Sequence, residues 1–442
     1  MGNFASKIKS KLDKVIRETA ECAYLYARNP AKDFTRNRKI SFERLVKTLL
    51  AIGGNSLNKE LYDEFKYDSA GVTTSAFVQQ RDKLLPEGLE ALFHAFNDEC
   101  CNGKTDEKTY EGYRLLAVDG CTLTYNGFAG DDTFMENSGE DGVNQFHLNA
   151  LFDLRNKVYV DALVQPNPNM NEPKAAWKMM ERSVLNGDSI FIADRGYASI
   201  NLIEHINRID GAEYLIRIKN EQWKEMQSLP MAECDVDIVI NLRTTQTNAD
   251  KEAFAAGTAK YISGQGKHCM RKAVVWDFES PFSCEVRIVR FKITDDTYET
   301  IATSLPREQF PVEKIKKLYH MRWGIETSFR ELKYAIGLIN FHAKKRDSVL
   351  QEIFAALIMY NFCERITMHT VIKQGKRAKW TYQANFTMAI HICRDFFRNR
   401  EHVPPDPEER IEKYINPVRP DRRDTRKVVQ KKSAVYFLYR VA

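Results

Sequence analysis

The chain has no long apolar run. Nowhere in its 442 residues does an apolar stretch approach the roughly 18 consecutive positions of a membrane-spanning helix. The most apolar segment, near Ile353–Phe362, is short and flanked by charge. A secretory leader is not expected either, since Lys7, Lys9, Lys11, Lys14 and Arg17 open the chain without an apolar block or a small-residue cleavage site. Met1-Gly2 with Ser6 fits a myristoylation pattern, one short enough to arise by chance. The cysteines number nine, an odd count without C-x-x-C spacing, and the adjacent Cys100 and Cys101 suit neither a zinc knuckle nor a disulfide framework. Reduced thiols in a cytoplasmic protein are therefore expected. Internal repeats and low-complexity tracts are absent too.

Net charge is only +6, so its distribution says more than its sum. Between Arg419 and Lys432 seven basic residues face two acids, and between Lys32 and Lys47 six face two. Either stretch could meet an anionic polymer or be a solvated face. Hydrophobic residues make up 43% and aromatics 11%, enough for a substantial core, and the length implies two to three domains.

The first hundred residues read as helical. Phe42, Leu45, Val46, Leu49 and Leu50 recur at helical spacing after Ser41, a plausible N-cap, and further helices are expected over Thr74–Leu85 and Gly88–Glu99. From Tyr113 the texture changes. Arg114–Asp119 reads as a buried strand, Gly130–Gly142 as an acidic loop, and Phe146–Phe152 with Val158–Val164 as a strand pair. A helix over Glu172–Leu185, a strand Ser189–Ala193, a helix Ile200–Arg208 and a strand Glu213–Ile218 follow. This order predicts an α/β fold with an RNase H-like core, a mixed sheet with flanking helices. Residues 220–297 read as a mostly β insertion, with strands at Val236–Arg243, Ala273–Phe278 and Cys284–Thr294 and turns at Gly257, Gly264 and Gly266. The core resumes with Thr300–Leu305 and a long helix from Pro311. The expected division is a helical DNA-binding region at 1–105, the core at 106–219 and 298–347, the insertion at 220–297, and a helical C-terminal region with a basic tail at 348–442.

Three acids stand out by position. Asp119 ends one apolar strand and Asp194 another, and a carboxylate there is costly unless something satisfies it. In an RNase H-like core these two strands are neighbours, so the carboxylates would meet, and a divalent cation would satisfy both. Alternatively, each merely caps a turn. Tyr319, Arg322, Glu326 and Lys333 fall within an arc of roughly 60° on the helix Pro311–Lys333. Such a stripe could be a solvated surface with an Arg322–Glu326 pair, but it follows two strand-end aspartates. Three carboxylates suit phosphodiester cleavage, in which two Mg²⁺ ions roughly 3.5–4 Å apart stabilise both the attacking and the leaving oxygen. Mn²⁺ accepts the same ligands. Arg322 could take a phosphate bidentately, Lys333 could act as a point charge, and Tyr319 could bond a phosphate or stack on a base.

The motifs AVDGCTL, IADRGY and YHMRWGIETSFRELK resemble those of bacterial transposases of the insertion-sequence-four type, filling all four positions of the Y-R-E-K signature. The resemblance covers nearly the whole chain, including the β insertion and the string Leu338–Lys345. It implies metal-dependent cleavage at element ends followed by strand transfer, with water and then a DNA 3′-hydroxyl as nucleophile. Catalytic and metal-binding Asp119, Asp194 and Glu326 are implied, with Tyr319, Arg322, Lys333, Arg195, Lys344 and Lys345 on DNA. Double-stranded DNA with terminal inverted repeats, target DNA, and a homodimer on paired ends in the bacterial cytoplasm and nucleoid complete the expectation. Trp276, Phe278 and Trp223 are candidates for handling a hairpin end, or core residues; Arg195 could equally pair with a carboxylate. His147 and His320 read as structural. A silent DNA-binding relative, a nuclease without strand transfer and a metallohydrolase unrelated to DNA are the competing readings. The intact acidic trio weighs against the first of these, and the basic tail against the last.

Overall fold

The run from Arg114 forms the central strand of the molecule. A computed structural model describes residues 4–36, 38–65, 71–101, 108–137, 140–183, 187–243, 248–249, 252, 256, 260–261, 277–278, 282–294, 297–373, 380–398 and 406–418. In β1 (Arg114–Tyr125), Leu115, Leu116, Ala117 and Val118 are fully buried. A strand covered on both faces reads as continuous apolar sequence rather than as alternation. On one side β1 pairs antiparallel with β3 (Glu140–Asp153), whose far edge is shared by β2 (Phe134–Asn137) and β4 (Val158–Pro166). On its other side β1 runs parallel to β5 (Ser189–Ala193), and β5 parallel to β6 (Ala212–Ile218). Antiparallel to β6 comes β10 (Thr297–Thr303), which leads out to β9 (Phe282–Thr294), β7 (Cys234–Arg243) and β8 (Lys260–Tyr261). The strands after residue 220 thus extend the same mixed sheet.

Side chains alternate across β1, and each face has its own cover. Leu116 and Val118 pack with α6 (Glu172–Arg182) and α7 (Ile200–Asn207). Leu115 packs with α8 (Val312–Met321), while Ala117 faces α9 (Trp323–Glu331) and α10 (Arg346–His369). The N-terminal helices α1 (Phe4–Glu21), α2 (Phe42–Ala51), α3 (Leu57–Glu64), α4 (Thr74–Arg81) and α5 (Glu87–Cys101) contribute to the same apolar cluster as α10 and α11 (Phe386–Arg398). The apolar segment near Ile353–Phe362 lies within α10, buried nearly all round, as a helix in the middle of a core must be. Ser41 does cap α2, its hydroxyl accepting the Arg44 amide at 3.2 Å.

Four local expectations are corrected. Strand β1 does not end at Asp119 but runs on to Tyr125, because the residues after the aspartate keep pairing with β3. The acidic segment Gly130–Gly142 is not only a loop: Phe134 and Met135 pair with Asn144 and Val143, so β3 begins well before Phe146. The helix from Pro311 is not continuous, for reasons given below. The C-terminal region also holds a strand pair, β11 (Thr381–Ala384) with β12 (Ile415–Val418), beside α12 (Pro407–Glu412). The glycine turns at 257, 264 and 266, most of Ala273–Phe278, and the basic tail from Arg419 lie outside the described residues.

Candidate active site

Val118 of β1 lies opposite Ala193 of β5 in parallel register, so Asp119 and Asp194 are the next residues of two neighbouring strands. Adjacent strands lie roughly 4.8 Å apart, so the two carboxylates are neighbours where β5 stops and β1 runs on. Asp119 Oδ1 accepts the Gly120 amide at 2.9 Å, and Oδ2 accepts Arg322 Nη1 at 3.0 Å. Glu326 Oε1 accepts Nη2 of the same arginine at 2.7 Å. Asp194 Oδ1 accepts its neighbour's amide from Arg195 at 2.7 Å, and Tyr319 Oη and Arg217 Nη1 each lie 3.4 Å from it. One buried guanidinium therefore ties Asp119 to Glu326 of α9, and Tyr319 links α8 to Asp194.

The helix reaches this position through a break. At Arg322 the amide bonds to the Tyr319 carbonyl at 3.1 Å, and the Ile325 amide bonds to the Arg322 carbonyl at 3.0 Å. These tighter three-residue bonds separate α8 from α9. Gly324 then lets α9 approach the β3–β4 turn, because a Cβ there would stand 2.8 Å from Leu154 Cδ2. Ser328 holds the far side, its hydroxyl 2.9 Å from Tyr159 Oη of β4. A π-helical turn over Leu332–Ile336 follows and ends at Gly337, whose φ of 100° favours glycine. The turn resets the helical register, so Lys333 is not on a straight extension of the stripe. Its ammonium donates to the Thr122 carbonyl of β1 at 3.0 Å.

Burial, reinforced by the like charges of Glu326 and Asp194, pushes the Asp119 carboxyl up to about 6, against the pull of the Gly120 amide and Arg322. Burial disfavours charge on Arg322, yet Tyr319, Asp119, Glu326 and Asp194 together raise it above the ordinary arginine value. Burial also raises the Tyr319 phenol, which keeps its proton.

Arg217 and Glu299 belong to this cluster, 3.2 Å apart, and sequence reasoning passed over both. The sequence marks Arg217 only as one arginine in the otherwise apolar end of β6, Tyr214–Ile218. The remaining nominated residues scatter. The side chains of Arg195 and Lys344 are exposed, and Lys345 is paired with Asp82 at the end of α4, away from the carboxylates. His320 is exposed. Trp223 is a buried core residue, and Phe278 packs on His205 with Arg208 over its ring. Trp276 lies outside the described residues.

Among the described residues, no three His, Cys, Asp or Glu side chains close tightly enough around one point to enclose a cation. Arg322 stands between Asp119 and Glu326. The donor set nonetheless fits a hard divalent ion, since its members are all carboxylates and raise one another's proton affinity at Asp119.

The molecule is thus an α/β protein with a carboxylate centre where β5 ends beside the middle of β1. Residues 110–362, more than half of the chain, match the family described as transposase DDE domain, and the chain belongs to that family. The transposase for insertion sequence element IS421 of Escherichia coli is 24% identical over 192 residues, covering 40% of this chain and 51% of that protein. The transposase InsG for insertion sequence element IS4 of Escherichia coli K12 is 21% identical over 326 residues, covering 72% and 65%. The chain thus spans about half the length of the first of these relatives. The resemblance read from the Y-R-E-K string is borne out at the level of family. Among solved structures, the piggyBac transposase synaptic complex with hairpin DNA superposes with a TM-score of 0.45 and 9% identity, over 92% of this chain and 82% of that one. No described helix is long and apolar enough to cross a membrane.

Proposed function

We propose that the chain is a DNA transposase that cuts at the ends of its element and joins the freed ends to target DNA. The observation that carries this reading is the meeting of Asp119, Asp194 and Glu326 around Arg322 within the residues that match the family. Strands β4–β3–β1–β5–β6 with α6 to α9 form an RNase H-like core in this reading, supported by their order and directions. The division into regions at 105, 219, 297 and 347 is kept with it. The N-terminal helices and the basic tail hold terminal inverted repeats, and a homodimer pairs two ends. The enzyme works on the nucleoid in the bacterial cytoplasm.

Asp119, Asp194 and Glu326 would hold two Mg²⁺ ions, or Mn²⁺. When bound, these supply Lewis acidity at the scissile phosphate and neutralise charge on the attacking and leaving oxygens. The protein's own groups do the positioning. Arg322, already forked between two carboxylates, can offer its guanidinium to a phosphate bidentately. The protonated Tyr319 hydroxyl can donate to a phosphate oxygen, and Arg217 and Lys333 add positive charge on either side. Water attacks the phosphodiester at the element end and releases a 3′-hydroxyl. That hydroxyl then attacks a target phosphodiester and displaces the target's own 3′-oxygen, so bond count is conserved.

The test is a gel assay on labelled element-end DNA with its flanking inverted repeat, comparing wild type and Asp119→Ala in Mg²⁺ and in EDTA. Cleavage at the repeat boundary that needs metal and is lost in the variant is expected. Binding without cleavage under every metal would instead identify a DNA-binding protein that no longer cuts.

A further inference from the structure

Two glycines follow the two aspartates closely, Gly120 directly after Asp119 and Gly196 two residues after Asp194. Neither has a positive φ, so backbone conformation does not require glycine at either place. Space does. A Cβ at Gly120 would stand 2.3 Å from His147 Nε2, and one at Gly196 would stand 2.5 Å from Glu172 Oε2. His147 Nε2 and Glu172 Oε1 are themselves 3.3 Å apart. One pair of side chains thus fills the room vacated at both aspartate motifs.

The pair lies behind the carboxylates. Alternation along β1 puts Gly120 on the α6 face with Leu116 and Val118, whereas Asp119 shares the α9 face with Ala117. His147 comes from β3, opposite Thr122, and Glu172 from the first turn of α6. The histidine is buried; Nε2 faces Glu172 without the alignment of a hydrogen bond, and Nδ1 has no hydrogen-bond partner among the described residues. Leaving such a group unsatisfied costs on the order of 1–3 kcal/mol, so packing alone would be better served by an apolar residue. Beside it the buried Tyr197, from the second motif, donates to Asn149 of β3 at 3.3 Å.

We propose that His147 and Glu172 are a positioning pair that sets the separation of Asp119 and Asp194 by bracing the backbone just beyond each. The proposal rests on the reading of those aspartates as cation ligands. It predicts that weakening the brace lowers metal affinity without unfolding the protein, as the loss of groups outside the ligand set commonly does, by about tenfold or more.

The experiment is a Mn²⁺ titration of the full chain by electron paramagnetic resonance. Wild type, Glu172→Gln, Gly196→Ala and Asp119→Ala are compared, with metal-free melting temperatures and cleavage of an element-end duplex. Glu172→Gln keeps the side chain's size and removes its charge, and Gly196→Ala pushes the carboxylate away from the turn. Expected in both is a Mn²⁺ midpoint raised about tenfold at an unchanged melting temperature, with cleavage lost at limiting Mn²⁺ and recovered at excess. Recovery by metal is a response that a merely structural role would not give. Wild-type Mn²⁺ affinity in both variants, or affinity lost only together with melting temperature, would overturn the positioning role and leave the ligand reading standing. Should wild type bind no more Mn²⁺ than Asp119→Ala, the ligand reading itself fails and this proposal falls with it.

Discussion

Arg322 serves two carboxylates with two different nitrogens, Nη1 to Asp119 and Nη2 to Glu326. A lysine keeps the charge but cannot fork, since its ammonium is a point donor on a flexible stem. Arg322→Lys is therefore expected to cost cleavage on the order of a hundredfold, the loss typical of removing one well-aimed donor. Single-turnover cleavage at saturating end DNA is the measurement, and a rate within a few-fold of wild type would mean that the fork has no part in the chemistry. Glu326→Gln should be harsher at the chemical step, abolishing cleavage while a gel shift shows element-end binding largely intact. Retained cleavage by that variant would remove Glu326 from the site. The three acids were legible because each is anomalous in the sequence, a charge directly after a fully buried apolar run or on a helix placed after two such runs. Arg217 was not, because one arginine in Tyr-Leu-Ile-Arg-Ile reads as an ordinary outward-facing position until β6 is known to lie beside β5.

At the scale of elements, periodicity spoke for those that follow one rule throughout. Strand Ser189–Ala193 was read to the residue, and α2 was read together with its cap. Elements that change rule partway were misread. The helix from Pro311 passes through a three-residue turn at Arg322 and a π-turn after Glu331, and neither leaves a mark in a pattern of apolar spacing. Strand β2 was hidden because it is four residues long within a stretch rich in acids and glycine, and its partner is the overhanging start of β3. Helix α10 raises a different point, because its buried faces enclose Glu364. Burial pushes this carboxyl up to about 8 against the pull of Lys157, with Glu331 adding a smaller push. An acid whose folded value exceeds its unfolded 4.5 favours the fold when protonated. Its contribution is complete below pH 4.5 and is lost as pH rises through about 8. Glu364→Gln should remove this loss, so its melting temperature should change less than that of wild type between pH 5 and pH 8, by the equivalent of a few kcal/mol. Parallel melting curves for the two proteins across that range would show that Glu364 ionises freely in the fold.

At the scale of the whole molecule, the question is whether the N-terminal helices are a separable module or part of one cooperative body. Polar groups buried between them and the rest argue for one body. Asn361 of α10 bonds Asn97 of α5 at 2.8 Å and takes the Tyr159 amide of β4 at 2.8 Å, joining three layers through one side chain. Arg81 at the end of α4 reaches Gln351 at 2.8 Å, Glu352 at 2.9 Å and the Ser348 carbonyl, all on α10. Burial would raise the Glu352 carboxyl, but Arg81 and His342 outweigh it and hold the group at about 2. A carboxylate held below its unfolded 4.5 lends stability that is complete above that pH and is lost as pH falls toward about 2. Arg81→Met would keep the stem's packing and strand the carboxylate, a loss expected near 3–5 kcal/mol. The acid-unfolding midpoint should move to higher pH in the variant. Because the contact joins two layers, urea unfolding followed by helical circular dichroism and by tryptophan fluorescence should shift together, both probes losing the same free energy. A helical signal that falls early while fluorescence keeps its wild-type midpoint would show that the N-terminal layer folds on its own and only rests against α10. The proposed binding of element ends by those helices could then be tested apart from cleavage, whereas a single shared transition would tie any change in the N-terminal layer to the geometry of Asp119, Asp194 and Glu326.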